Sequence, residues 1–173
     1  MKRWAAIGAA LLMATACGSD SPTTPSNTGP ITFTANLNAA NEVPPITNAE
    51  ANARGTVTIT FNVPRDASGA VTGAGTVTFV AQLASFPAGT PAILAHIHTG
   101  AAGIAGPVLI NTNLSAASPI VMDANGSGNL NISNIPISQT DATNIASNPA
   151  GYYLNVHTSL NPGGAVRGQL VKQ

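Results

Sequence analysis

"TVTITFNV", residues 56–63, alternates without a fault: Val57, Ile59, Phe61 and Val63 fall on one side, Thr56, Thr58, Thr60 and Asn62 on the other. Strict period-two alternation of apolar and polar residues marks a strand with one face in a core and the other in water. The β-branched residues that fill it suit a pleated, half-buried surface. "TVTFVAQL" (76–83) does nearly the same with Val77, Phe79, Ala81 and Leu83, and "ITFTANLN" (31–38) does so in part. "RDASGAVTG" (65–73) between the first two is turn material.

Outward from these segments the same grammar continues. Strands are predicted over 92–99, 107–112, 128–133, 152–158 and 165–171. One stretch departs from it. "SQTDATNIASNP" (138–149) offers Ser138 or Thr140 as a cap and predicts a short helix that ends before Pro149. The fold class is therefore all-β: an antiparallel Greek-key sandwich or barrel of about seven to nine strands, with at most one short helix.

Composition agrees and also excludes. The chain of 173 residues is long enough for one domain with a real core, and its 17 glycines and 13 prolines suit many short strands joined by turns. Only 7% of the residues are charged and the formal net charge is zero. Nothing in that balance provides the electrostatic footprint of a nucleic-acid binder. Aromatic residues make up 4%, too few for a platform on which bases stack.

The N-terminus reads as an export signal. "MKRWAAIGAALLMATAC" has a basic start at Lys2 and Arg3, an apolar run too short to span a bilayer, and small residues before Cys17. "ATAC" resembles a bacterial lipobox, which implies cleavage before Cys17 and lipidation of its thiol. Residues 1–17 are then a lipoprotein signal with the lipidated cysteine, and 18–30, "GSDSPTTPSNTGP", a Ser/Thr/Pro tether to a domain over 31–173. Gly18 after the cysteine points to the outer membrane by the sorting rule for such lipoproteins. With Cys17 consumed, no thiol remains for a disulfide or a nucleophile.

Chemistry concentrates in three histidines, the full complement of the chain. On a strand through 93–99, His96 and His98 point to one face, ~6.5–7 Å apart along the chain, and Ile93, Ala95 and Ile97 to the other. On the strand 152–158, Tyr153, Asn155 and His157 share one face while Leu154 and Val156 share the opposite one. All three imidazoles thus project from the outer faces of their strands, where packing does not require them. Three imidazoles suit copper or zinc, provided the two strands lie side by side in register. Plain hydrogen bonding to loop carbonyls is the alternative role.

Three blocks in order, "FTANLNAANEVPP" (33–45), "HIHTGAAGIAGPV" (96–108) and "YYLNVHTSLNPGGAVRGQL" (152–170), resemble the CHRD domain family, named for chordin and common in exported bacterial proteins. The resemblance implies an extracytoplasmic β-domain and little about activity. "HIHTG", "NVHT" and "GGAVRGQL" are also similar to segments of the copper–zinc superoxide dismutases. That similarity implies His96, His98 and His157 as copper ligands and Arg167 as a guide for an anion. The chain departs from that family in lacking a fourth histidine to bridge two metals and a disulfide.

The remaining candidates take structural roles. Glu42 in "NEVPP" reads as a hydrogen-bond acceptor, and Asp66 and Asp123 as turn formers. Arg167 is expected to pair with Glu42 or Glu50. The functional expectation is an envelope-anchored lipoprotein with a non-enzymatic binding or interaction role. Its partners are the membrane, through the lipid, and an envelope or extracellular protein. The alternative is a copper or zinc site at the three histidines, with dismutase-like redox activity.

Overall fold

The computed structural model describes residue 1 and residues 28–173. The leader, Cys17 and nearly all of the tether lie outside the described residues. The strands are β1 (Ile31–Asn38), β2 (Arg54–Asn62), β3 (Gly75–Ala84), β4 (Pro91–Thr99), β5 (Val108–Asn111), β6 (Ile120–Val121), β7 (Gly128–Ile137), β8 (Tyr152–Thr158), β9 (Val166–Gln169) and β10 (Val171–Lys172); helix α1 is Gln139–Ser147. Every pairing is antiparallel.

The sheet runs β5-β4-β8-β9-β1-β2-β3-β7, with β10 on β1 and β6 on β4. β1, β2 and β3 form a meander, and the distant pairs β3–β7, β4–β8 and β9–β1 are the return connections of a Greek-key arrangement. β6 pairs with β4 and packs against β7, so the sheet nearly closes on itself. Inside lie the apolar sides of the alternating strands, among them Phe33, Ile59, Phe61, Phe79 and Leu130, with Phe33 and Phe61 in ring contact at 4.9 Å between centroids. No helix among the described residues is long and apolar enough to cross a membrane.

Ten strands exceed the expected number for two reasons. β6 is two residues long and carries no readable period. The predicted closing strand is divided at Leu170, which turns into the core while its N–H donates to Tyr152 O at 3.0 Å. β7 also outruns its predicted end at 133. Asn134 adopts φ 61° and the register against β3 shifts between Val77 and Phe79, so the alternation breaks while the strand continues. Pro136 is accommodated because β7 ends the sheet. The helix follows its sequence: Ser138 caps it, with its Oγ accepting from the Asp141 N–H at 3.0 Å.

Candidate metal centre

β4 and β8 are neighbours, and their register puts His98 opposite Tyr153, His96 opposite Asn155 and Leu94 opposite His157. β9 continues the row, with Arg167 opposite Asn155 and Gln169 opposite Tyr153. Directly opposed residues share a face. The outer face of these three strands is therefore polar, while the inner face carries Ala95, Ile97, Leu154, Val156 and Val166 in the core.

Most of this outer face is covered. His96, His98, Asn155, His157 and Arg167 are all buried. The loop after β4 covers one end and the loop after β8 the other. Gly106 makes the first cover possible. A Cβ there would collide with Thr99 O, so only glycine lets the loop fold so closely on its own strand. Its carbonyl then reaches His98 Nδ1 at 3.0 Å, and its N–H donates to the Tyr153 hydroxyl at 3.2 Å. In the second loop Pro162 O lies 3.0 Å from His157 Nδ1.

These two carbonyls decide the tautomers. A carbonyl only accepts, so Nδ1 of His98 and of His157 carries the proton and Nε2 of each is the lone-pair nitrogen. His98 Nε2 is buried without a hydrogen-bond partner. His157 Nε2 lies 3.1 Å from His96 Nδ1. One ligand atom from each of the three rings lies within 4.8 Å of the others. Nitrogens bound to one ion at about 2.0–2.1 Å stand about 3–4 Å apart. The closest pair, at 3.1 Å, falls within that range.

Electrostatics favours the neutral form of the rings. Burial lowers the His96 pKa from the ordinary 6.5 to about 4, helped by the neighbouring His157 and His98. Burial also lowers His98, against the raising effect of its bond to Gly106, and the Arg167 charge lowers it further. His157 is lowered by burial against the effect of its Pro162 bond, with His98 adding to the fall. A neutral imidazole is the form that ligates, so protons compete weakly with a metal at neutral pH. The donor set of three neutral nitrogens, with one orphaned lone pair, fits copper or zinc.

Sequence reasoning missed two residues that build the centre. Tyr153 stacks on His98, with centroids 4.9 Å apart and planes within 11°, and the Arg167 guanidinium sits 3.8 Å from the centroid of the same ring. Glu50 is fully buried, and its Oε2 accepts from Thr158 Oγ1 at 2.8 Å and from Asn161 Nδ2 at 2.5 Å. It thereby ties down the loop that presents Pro162 to His157. Tyr153 was legible as a face-mate of His157, whereas nothing local marks Glu50.

Arg167 departs from its expected pairing. Its Nη2 donates to Ile104 O at 2.9 Å and reaches Ala101 O at 3.5 Å, both in the loop covering His98. Glu50 is engaged elsewhere, and Glu42 feels the Arg167 charge at a distance. Burial of the Glu42 carboxyl outweighs that charge and pushes its pKa up from 4.5 to about 7. Asp66 and Asp123 make turns, accepting from the N–H groups of Ser68 and Ala70 and of Asn125 and Ser127 respectively.

Among the curated proteins none matches the chain. A family model described as the CHRD domain matches residues 33–170, nearly the whole of the described barrel.

Proposed function

The chain belongs to the CHRD domain family, and we propose that this member holds one copper or zinc ion at His96, His98 and His157. The observation that carries this is the convergence of three nitrogens within 4.8 Å, two of them oriented by carbonyls that can serve no other tautomer. His96 Nδ1 and His157 Nε2 are already hydrogen-bonded to each other at 3.1 Å, a contact that a shared ion would replace, while hydrogen bonding gives His98 Nε2 no partner. His98 Nε2, buried and unpartnered, costs about 1–3 kcal/mol as it stands, and a bound ion removes that cost. Holding the ion, in a non-enzymatic binding role, requires nothing beyond these residues.

The place of action is the cell envelope. The leader, the lipobox-like "ATAC" and the "GSDSPTTPSNTGP" tether support lipidation at Cys17 and display of the domain from the outer membrane, within reach of an envelope or extracellular protein. Mass spectrometry of the mature protein tests this part. An acylated N-terminal Cys17 is expected, and an unacylated terminus elsewhere would contradict it.

Titration of the purified protein with Cu(II) and with Zn(II) tests the metal. One equivalent of copper or zinc is expected to bind the native chain and none the combined His96→Ala, His98→Ala, His157→Ala variant. Equal uptake by the two proteins would dispose of the site.

A further inference from the structure

We infer that the cleft between the segment following β1 and the loop following β4 binds a small zwitterion, a free α-amino acid or the end of a short peptide, with its ammonium at Glu42 and its carboxylate at Arg167. The cleft has a volume of about 570 Å³, and both residues line it together with Val43, Pro45 and Ala102. That size and that mixture of apolar wall with a few convergent polar groups are those of a small-molecule site.

The two charges carry the inference. Both residues are buried, Arg167 at 2% exposure and Glu42 at 6%. Buried opposite charges ordinarily satisfy each other by direct hydrogen bonds. These do not. Glu42 Oε1 has no hydrogen-bond partner at all. The hydrogen bonds of Arg167 use Nη2 on the loop carbonyls, which leaves Nε and Nη1 of its five-donor fork. Both side chains nevertheless line the same cleft. The cleft thus has a donor pole and an acceptor pole on its wall, each incompletely used.

The same arrangement selects the ligand. A simple anion at Arg167 would sit beside the Glu42 carboxylate, and a simple cation at Glu42 beside the guanidinium; each is opposed by the second charge. A molecule carrying both signs a few bonds apart meets both poles favourably. Gly164 leaves room for Glu42: its φ is 134°, and a Cβ there would come within 2.8 Å of Glu42 Oε2 and 2.6 Å of Asn155 Nδ2. Neither Glu42 nor Arg167 is among the proposed metal ligands, so the cleft stands whether or not the histidines hold an ion.

An amide-resolved NMR titration of the purified protein with L-alanine, N-acetyl-L-alanine and L-alaninamide tests the proposal. L-Alanine is expected to give saturable shifts at Glu42, Val43, Ala102 and Arg167. The two capped probes, each missing one charge, are expected to bind about tenfold more weakly or less. Glu42→Gln, which keeps the shape, is expected to erase the preference of L-alanine over N-acetyl-L-alanine. Ala102→Trp, at an exposed loop position, is expected to fill the cleft and abolish the shifts while leaving copper uptake as in the native chain. No saturable response to L-alanine, equal affinity for all three probes, or undiminished binding by Ala102→Trp would each overturn the proposal.

Discussion

The β1–β2–β3 side of the barrel and its β4–β8–β9 side are built on opposite economies of burial. On β2, Val57, Ile59 and Phe61 are buried while Thr56 and Thr58 face water. On β8 every residue from Tyr153 to Thr158 is buried. The first side is a one-faced sheet that needs nothing beyond its alternation. On the second, two loops and the segment after β1 cover a polar outer face that water would otherwise have satisfied. Burying imidazoles, a guanidinium and carboxyls is unfavourable unless each finds a partner. Here four acceptor atoms on that face and its covering segments, His98 Nε2, Asn155 Oδ1, Glu42 Oε1 and Glu50 Oε1, have none. These open lone pairs are what the proposed metal centre draws on, and the plain side has no counterpart to them among the described residues.

The largest effect belongs to the plain side. Phe79→Ala, in the inner core, is expected to lower unfolding free energy by about 3–5 kcal/mol in urea denaturation. The covered side is expected to respond most to metal: at a hundredfold excess over Kd, copper or zinc should add about 2.7 kcal/mol of stability, and Phe79→Ala should retain that gain as long as it folds. Next comes Glu50→Gln, which weakens the tie to Thr158 and Asn161 and should cost about 1–3 kcal/mol while reducing metal affinity through the loosened Pro162 loop. A loss of stability with unchanged metal affinity would separate Glu50 from the centre.

The pH dependence is expected to be smaller because two contributions oppose each other. The histidine pKa values are lowered on folding, so their contribution is present above the ordinary 6.5 and is lost as pH falls, for His96 through about 4. The Glu42 pKa is raised, so its contribution is present below 4.5 and is lost as pH rises through about 7. Thermal melts of the metal-free protein should show a net fall in stability from pH 6.5 toward 4, since three histidines oppose one carboxyl. Glu42→Gln should steepen that fall and raise the melting temperature at pH 8, where the native carboxylate is ionised and incompletely partnered. The smallest effect is that of Thr58→Ala on the water-facing side of β2, within about 0.5 kcal/mol.

The two sides also differed in how far their sequence could be read. The alternation of 56–63 and 76–83 sufficed for the plain side, because period two reports directly on which residues enter a core. The same rule put His96, His98 and His157 on the outer faces of their strands, and the β4–β8 register aligned them. It could not show that those faces are buried. The covering contacts come from backbone carbonyls, Gly106 O and Pro162 O, and from Glu50, which is 108 positions from Thr158. Carbonyls carry no residue-type signal, which is also why Arg167 was expected on a carboxylate and is found on Ile104 O. Asn134 hid the second half of β7 for a related reason: a single left-handed residue resets the alternation without ending the strand.

X-ray absorption at the copper edge, with one equivalent of copper added to the native protein, bears most directly on the proposed shared-ion centre. Three imidazole nitrogens at about 2.0 Å are expected, falling to two or fewer when any one of His96, His98 or His157 is replaced by alanine. A spectrum with fewer than three imidazoles in the native chain, or one unchanged by those substitutions, would contradict the account.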